Sequence, residues 1–390
     1  MECASAAHCP ADRAICDEEL RACRRCVLDT DCASGVCIEA DGACAEPNEL
    51  VYVSEGGIDA APCSKAAPCR TLQFAFGQVA ANRAIIRILG GFYFLRNGTT
   101  SLGGNIIIDG SNTILGWTGP ANTPALTITG AATVEGVSIS SVASSASVVH
   151  VATGGALRVD HTLLRGAVLV ETGGALQLTN STLRDGSLNC AVNATCSVSV
   201  IASAIERSEV GFQGGTLRVQ RTRIDSLGRG TFNVFGGVLT IENNLFLESV
   251  ENRGTLVFGF DPGSTLRHNT FVNTSSVTST LGALACVAGL DVSNNIFAVN
   301  STQPIIGDCV PNHSLFDTAG AAMAGVGSGN VSADVTRFFV DPIGGDFHLA
   351  AGSPAIGLGE VGATTTDFDG SPRPQPVGSK PDAGAFESSK

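Results

Sequence analysis

The stretch Gly155-Ala-Leu-Arg-Val-Asp-His-Thr-Leu-Leu164 recurs, with variations, along most of this 390-residue chain. Close copies are Gly174-Ala-Leu-Gln-Leu-Thr-Asn-Ser-Thr-Leu183 and Gly237-Val-Leu-Thr-Ile-Glu-Asn-Asn-Leu-Phe246. Each copy alternates apolar and polar residues as a short strand does, and no copy could bury its apolar face alone. The core must therefore be closed by stacking one copy on the next. The last apolar position of successive copies falls at residues 114, 139, 164, 183, 205, 224, 246, 271 and 297.

Two kinds of solenoid have a period of this length. A leucine-rich repeat needs a further leucine where this chain has Gly154, Gly173 and Gly236, and it needs a helical return that the Gly-, Ser- and Thr-rich links lack. A parallel β-helix needs short strands, tight bends and loops of unequal length, which the uneven steps supply. The sequence therefore predicts an all-β fold, a right-handed parallel β-helix of roughly 20–25 residues per coil.

Composition limits the classes of partner. Charged residues make up only 15% of the chain and the formal net charge is −13, which argues against nucleic acid and anionic membranes as partners. No apolar run reaches the roughly 20 residues that a membrane-spanning helix needs, so we predict no membrane span. The sequence opens at Met1-Glu2-Cys3 without a signal peptide, and we expect an exported protein whose signal has been removed.

The 14 cysteines fall in local groups of even number. A zinc site of Cys23-Arg-Arg-Cys26 with Cys32 and Cys37 is one interpretation of the first eight, but the remaining spacings do not repeat a zinc knuckle. We therefore predict no metal and full pairing in an oxidising, extracellular compartment. For the last six cysteines we predict the disulfides Cys63–Cys69, Cys190–Cys196 and Cys286–Cys309.

The pattern divides the chain into three regions. Residues 1–48 form a disulfide-stapled module, because a segment so poor in apolar side chains cannot build a core. Residues 49–345 form the β-helix, with a capping helix over 71–79 that Thr71 N-caps. Residues 346–390 form a C-terminal capping segment, and Pro47-Asn48 is the expected hinge.

Three segments resemble known families. Cys23-x₂-Cys26-x₅-Cys32-x₄-Cys37-x₆-Cys44 resembles the small cysteine-rich modules of exported myxobacterial proteins. The run from Tyr52-Val-Ser-Glu-Gly-Gly-Ile-Asp59 to Pro68-Cys-Arg-Thr-Leu-Gln73 is similar to the opening of pectin-lyase-like right-handed β-helix proteins of the exported bacterial type. Asp346-Phe-His-Leu-Ala-Ala-Gly-Ser-Pro-Ala-Ile356 and Asp367-Phe-Asp-Gly-Ser-Pro-Arg-Pro374 resemble the choice-of-anchor Q segment, although Gly357 stands where that family commonly has Asp.

The pectin-lyase-like resemblance implies a superfamily that includes pectate and pectin lyases, polygalacturonases and alginate-type enzymes. The Asp-Asp, Gly-His-Gly and Arg-Ile-Lys signatures of its hydrolases are absent. The coils also lack the lysine that would serve as the base of a β-elimination, since the three lysines lie elsewhere, at Lys65, Lys380 and Lys390.

The residues that follow the last apolar positions form the best candidate site. If the coils are in register, Arg165, Arg184, Glu206 and Asp225 form one outward ladder. Glu206 and Asp225 would then lie roughly 5 Å apart at the backbone, near the carboxyl separation of a retaining glycosidase. The interpretation that we favour is a surface ladder in which arginines neutralise the acids. The catalytic candidates are Arg184, Asp185, Glu206 and Asp225, and the ligand-binding candidates are Arg165, Arg207, Arg218 and Arg223.

Four further features remain, and the first three have two interpretations each. Arg221, with Arg218 and Arg223, either binds a sulfate or uronate or is an ordinary surface cation. Asp367-x-Asp369-Gly is either a weak calcium site or, as we favour, a turn. His161 is more readily a polar coil residue than a catalytic base. The in-phase residues Asn243-Asn244, Asn269 and Asn294-Asn295 predict a hydrogen-bonded ladder in a bend.

The sequence thus predicts an exported or cell-surface β-helix protein, monomeric, that binds glycan or an envelope protein or has a structural role. The alternative is a polysaccharide-cleaving enzyme, a lyase or glycoside hydrolase.

Overall fold

The computed structural model describes residues 9, 15–17, 19, 21–38, 42–95, 100–102, 106–119, 123–141, 147–191, 195–225, 232–248, 255–273, 282–362 and 364–388. Most strands of these residues belong to one continuous sheet that coils into a solenoid. Strands of successive coils pair in parallel, as Ala156–Asp160 does with Ala175–Thr179. The predicted fold class, an all-β parallel β-helix, is confirmed.

The coils present three faces. Face 1 consists of Leu50–Val53, Ile85–Ile88, Ala156–Asp160, Ala175–Thr179, Cys196–Ile201, Gly215–Gln220, Val238–Glu242, Thr265–Arg267, Asp291–Ser293 and Pro311–Asn312. Face 2 consists of Gly91–Leu95, Ala204–Glu206, Arg223–Asp225, Leu245–Glu248, Thr270–Asn273, Ile296–Ala298, Leu315–Asp317 and Val331–Ala333. Face 3 consists of Thr100–Leu102, Leu126–Ile128, Ser147–Val151, Glu209–Phe212, Phe232–Phe235, Thr255–Gly259, Leu284–Cys286 and Ile305–Gly307.

Four long strands turn a corner of the solenoid and belong to two faces. Ile106–Trp117 and Ala131–Ser141 join faces 1 and 2, and Leu163–Val170 and Thr182–Cys190 join faces 2 and 3. The remaining strands form antiparallel pairs outside the coils: Ile15–Asp17 with Ala22–Arg24, Cys37–Ile38 with Ala43–Cys44, and Phe339–Asp341 with Asp346–Leu349.

The interior is a set of apolar columns, because alternation along a strand turns every second side chain inward. Leu157 lies against Leu176 of the next coil, and both are almost fully buried. In the later coils the rings of Phe246, Phe271, Phe297 and Phe316 stack with centroids 4.6, 4.9 and 5.1 Å apart. These separations match the spacing of paired strands, about 4.8 Å. The repeat of the sequence is therefore the repeat of the core.

One coil departs from the predicted register. The sequence placed Ile114 in the apolar column, but Ile114 pairs with Ser138 and its side chain is 41% exposed. Leu115 takes the inward position and pairs with Ile139. The pairing shifts here because the five residues from Asp109 to Thr113 lie opposite only three residues, Glu135 to Val137.

The predicted Asn ladder is present and continues beyond the asparagines. It lies inside the corner between faces 1 and 2, where each side chain accepts a hydrogen bond from the backbone N–H one coil earlier. Asn269 accepts from Asn244 N at 3.0 Å, and Asn295 accepts from Asn269 N at 2.9 Å. In earlier coils Ser181 and Ser203 have the same role. The ladder satisfies backbone donors that the turn would otherwise leave buried without a partner.

The residue before each ladder position has a left-handed backbone. We call this set the αL corner, and its φ values lie between +43° and +65°. Such a backbone favours Gly or Asn and strains a residue such as alanine. The αL corner consists of Gly136, His161, Asn180, Ala202, Arg221, Asn243, His268, Asn294 and His313.

The cysteine-rich module is disulfide-bonded and packs on face 1. Its disulfides include Cys9–Cys23, Cys26–Cys37 and Cys32–Cys44. The sulfurs of Cys26, Cys32 and Cys37, three of the ligands in the zinc interpretation, lie close together and are joined in disulfides.

Two contacts hold the module in place. Val36 and Ala45 pack on a patch of the first coils that includes Tyr52, and Arg87 forms ion pairs with both Asp29 of the module and Asp109 of the coil. The expected hinge is a 3₁₀ helix, Pro47–Glu49.

The capping helix is shorter than predicted. It spans Leu72–Phe76, and the side chain of Thr71 caps it by accepting from Phe74 N at 3.2 Å. Leu72 and Ala75 of the helix contact the solenoid core. Further 3₁₀ helices span Asp29–Asp31, Ala321–Gly325 and Val335–Arg337. No helix within the described ranges has the length and hydropathy to cross a bilayer.

The C-terminal segment, residues 334–388, lies along face 2 rather than over the end of the solenoid. Phe338, Phe347 and Phe386 pack on outward apolar residues of the later coils, among them Leu247 and Val272. The sequence predicted a capping segment from residue 346, whereas these contacts begin at Phe338.

The three predicted disulfides Cys63–Cys69, Cys190–Cys196 and Cys286–Cys309 are all formed.

A buried polar cluster fastens this segment to the αL corner. Nε2 of His268 lies 2.9 Å from Nδ2 of Asn294, and Nδ1 lies 3.2 Å from the Asp382 carbonyl and 2.5 Å from Nη1 of Arg373. Glu360 fixes the orientation of the Asn294 amide through two backbone hydrogen bonds, at 2.9 and 3.0 Å. Burial, and next the charge of Arg373, hold the pKa of His268 well below its usual value, so the imidazole is neutral.

Candidate functional site

Face 2 carries two outward columns that change character along the solenoid. One column runs Phe94, Gly116, Ser140, Arg165, Arg184, Glu206, Asp225, Leu247, Val272 and Ala298. The other runs Phe92, Ile114, Ser138, Leu163, Thr182, Ala204, Arg223, Leu245, Thr270 and Ile296. The C-terminal segment covers the apolar residues from Leu245 onward. We call the remainder, from Phe92 to Asp225, the open strip.

The predicted ladder is in the predicted register on the open strip. Arg165, Arg184, Glu206 and Asp225 lie opposite one another on successive strands. Asp185 and Arg207 follow one position further along, where both have a left-handed backbone.

Arginines engage the carboxylates of the ladder. Arg207 donates to both oxygens of Asp185, at 2.7 and 3.0 Å, and Arg165 lies 3.1 Å from the same group. Glu206 accepts from Arg184 at 2.5 Å. The ladder is thus a chain of ion pairs, as the favoured interpretation of the sequence expected.

Electrostatics favour the ionised form of Asp185. The hydrogen bond from Arg207 is the largest influence on Asp185, and the charges of Arg207, Arg165 and Arg184 act in the same direction, so the pKa of Asp185 is lowered despite partial burial. A general acid in glycoside cleavage needs the opposite shift. Asp185 is therefore suited to hold arginines in place and poorly suited to donate a proton.

The arginines proposed as ligand-binding residues do not form one cluster. Arg218 is on face 1, where it donates to Gln220 at 2.6 and 2.9 Å. Arg221 is at the αL corner. Arg223 is on the open strip, 3.8 Å from Asp225, and its side chain is 46% exposed. Of the proposed arginines, Arg165, Arg184 and Arg223 lie on the open strip. Arg207 lies beside the strip, one position after Glu206.

The open strip also holds an aromatic platform that sequence reasoning missed. Phe92 and Phe94 are 45% and 46% exposed, with ring centroids 4.7 Å apart at an interplanar angle of 72°. Their rings lie over Gly116, where a Cβ atom would be 2.9 Å from Phe92 Cζ. The glycine lets the two rings lie low on the sheet. Contiguous exposed apolar surface is a common feature of interaction sites.

The carboxylates of Asp367 and Asp369 have separate partners. Asp367 accepts from the backbone N–H groups of Ser371 and Glu387, at 2.8 and 3.0 Å. Asp369 lies 2.8 Å from His348. Asp367 and Gly370 belong to a backbone turn, which is the interpretation that the sequence favoured.

The chain matches no known protein family and no curated protein by sequence. Among solved structures, it is similar to the pectate lyase Pel9A, with 14% identity and a TM-score of 0.41 over 87% of this chain and 96% of that one. The class of this protein, a parallel β-solenoid, rests on its own strand registers.

Proposed function

We propose that this protein is an exported, monomeric glycan-binding protein and that the open strip is its binding surface. The observation that carries this proposal is the position of the Phe92–Phe94 platform at one end of a flat surface with hydroxyl and guanidinium groups. The strip crosses seven strands, so six spacings of about 4.8 Å give it a length of about 29 Å, which suits an elongated polymer. The disulfides Cys63–Cys69, Cys190–Cys196 and Cys286–Cys309 support an extracellular site of action.

The strip offers the contacts that sugar rings require. The C–H face of a sugar ring is apolar and packs on an aromatic ring, while its hydroxyl groups need hydrogen-bond partners. Phe92 and Phe94 supply the aromatic contact. Ser138 and Ser140, which lie together on the second strand beyond the phenylalanines, supply hydroxyl groups, and Arg165 on the strand after that supplies N–H donors. A ligand lying along the solenoid axis would meet these groups in that order.

The test is binding of the whole protein to a panel of polysaccharides. The double variant Phe92→Ala/Phe94→Ala should bind at least about tenfold more weakly, because it removes the apolar contact. Phe235→Ala is the matched control, since Phe235 is 52% exposed on face 3, away from the strip. Equal loss in both variants, or no loss in either, would refute the assignment of the strip.

The second candidate function, polysaccharide cleavage, is favoured by one observation: Glu206 and Asp225 lie opposite one another on neighbouring strands. One carboxyl would protonate the leaving oxygen and the other would attack the sugar or activate water. Release of reducing ends or unsaturated uronates by the native protein, lost in Glu206→Gln, would establish this function. Under the binding proposal no polymer is cleaved, and Glu206→Gln changes the free energy of unfolding by no more than about 1 kcal/mol.

A further inference from the structure

One of the two outward columns of the open strip is uncharged over successive strands, and we call this part the neutral column. It consists of Phe92, Ile114, Ser138, Leu163, Thr182 and Ala204. Phe92 is 45% exposed and Ile114 is 41% exposed, and the other four side chains are half-buried. Five spacings of about 4.8 Å give the neutral column a length of about 24 Å.

The dimensions of the strip suit a single sugar chain. The two outward residues of a strand are about 6.6 Å apart, so the strip offers the width of one chain. An extended β-1,4-linked chain advances by nearly the same distance per sugar as the solenoid advances per coil. Because the neutral column is paired strand by strand from Ile114 to Ala204, successive sugars meet successive strands.

The charged groups of the strip are engaged with one another. On and beside the strip, four arginines form ion pairs with three carboxylates: Arg165 and Arg207 with Asp185, Arg184 with Glu206, and Arg223 with Asp225. A fourth carboxylate lies at the aromatic platform, where Oε1 of Glu55 accepts from Phe92 N at 2.7 Å. The four positive charges are therefore balanced by four negative ones.

This balance favours an uncharged ligand. A chain with one carboxylate per sugar would bring about six negative charges along the neutral column. These charges would meet carboxylates at both ends of the strip, on a protein whose formal net charge is −13. An uncharged chain leaves the ion pairs intact, and its hydroxyl groups accept from N–H groups of Arg165, whose side chain is 57% exposed.

From these observations we infer that the ligand of the open strip is an uncharged, extended, β-1,4-linked glycan that lies along the neutral column. The inference rests on the proposed glycan-binding function and adds the charge, the linkage and the length of the ligand, which is about six sugars. The C–H faces of the sugars pack on Phe92, Ile114 and Leu163. Their hydroxyl groups meet the side chains of Ser138 and Thr182.

The experiment measures binding of defined oligosaccharides to the full chain by isothermal titration calorimetry. The neutral probes are trimers and hexamers of β-1,4-linked glucose and of β-1,4-linked N-acetylglucosamine, and the charged probe is a galacturonate hexamer. One neutral hexamer should bind at least about tenfold more tightly than its trimer, which covers half of the neutral column, and than the charged hexamer. Its Kd should be the same at low and high salt, because salt screens interactions between charges.

Two variants place the ligand on the neutral column. Ile114→Ser removes an exposed apolar contact and should weaken binding of the neutral hexamer about fivefold or more. Leu163→Asp introduces a charge in the middle of the column and should weaken it at least about tenfold. Val287→Ser is the matched control, since Val287 is 39% exposed after a strand of face 3, and this variant should bind as the native chain does. Circular dichroism confirms the folding of each variant.

Four outcomes would overturn the inference. If the galacturonate hexamer binds at least as tightly as the neutral hexamers and Phe92→Ala/Phe94→Ala abolishes that binding, the ligand is charged and the open strip is still the glycan-binding surface. Equal Kd values for trimer and hexamer would contradict the length. Binding of a neutral hexamer that Ile114→Ser and Leu163→Asp leave unchanged would place the ligand elsewhere. If no oligosaccharide of either kind binds, the proposed glycan-binding function fails together with the inference.

Discussion

Asn269 provides the sharpest test of how the coils are held together. Its side chain is fully buried, and its Oδ1 accepts from both N and Nδ2 of Asn244, each at 3.0 Å. Its Nδ2 donates to the Ile241 carbonyl at 2.9 Å and to Oδ1 of Asn295 at 3.1 Å. Replacement by alanine therefore removes one partner from each of two donors and two acceptors in the core.

The expected cost is large because these groups have no access to water. A buried polar group left unsatisfied costs roughly 1–3 kcal/mol. Two of the four groups, Asn244 N and the Ile241 carbonyl, belong to the backbone and cannot turn away. We therefore expect Asn269→Ala to lower the free energy of unfolding by about 4 kcal/mol, measured by denaturant titration followed by circular dichroism. Hydrogen exchange should rise first in peptides that contain Asn244 and Asn295, since each coil contacts only its neighbours.

Asn189→Ala is the matched control for this prediction. Asn189 is on face 3 and donates to Ser187 at 2.9 Å, at a half-buried position. Its removal should cost no more than about 1 kcal/mol. If the two variants unfold within about 1 kcal/mol of each other, the Asn ladder does not stabilise the corner as argued here.

Three further outcomes are expected. Ala202→Gly should raise the free energy of unfolding by about 1 kcal/mol in denaturant titration, because alanine is strained at φ 49°; a decrease would contradict the strain argument. The variant Cys286→Ala/Cys309→Ala should lose about 3 kcal/mol, judged by thermal unfolding against the native chain, because the disulfide closes a loop with a sequence separation of 23. The pKa of His268 lies well below that of the unfolded chain, so the unfolded state takes up a proton first as pH falls below about 6.5. Stability should then drop by about 1.4 kcal/mol per pH unit, and His268→Gln should lack this part of the pH dependence.

The sequence predicted the architecture well because each repeat of the sequence forms one layer of the core. Each apolar position of a repeat meets its equivalent one coil away, so counting residues is enough to align Glu206 with Asp225. Counting failed at Ile114, where one coil contains two extra residues between Asp109 and Thr113. The spacing of apolar residues does not show which residues of a coil with such an insertion turn inward.

The surface was harder to predict, for two physical reasons. In Gly91-Phe-Tyr-Phe-Leu95 every residue after the glycine is apolar, so alternation does not show that Tyr93 and Leu95 turn inward and the two phenylalanines outward. The docking of the C-terminal segment depends on contacts between residues far apart in sequence. A signal for it was nevertheless present: the outward column changes from charged residues to Leu247, Val272 and Ala298, and an apolar outward column needs a cover.

The lateral position of the C-terminal segment has a consequence for biosynthesis. Phe386 follows Ala298 by 88 residues, so the coils that carry the apolar columns leave the ribosome before their cover exists. At 5–20 residues per second the delay is roughly 4–18 s. During that interval the nascent chain exposes an apolar surface to which chaperones and other chains can bind. A premature stop codon shortly after the last coil would therefore yield a solenoid that keeps its fold but aggregates through face 2.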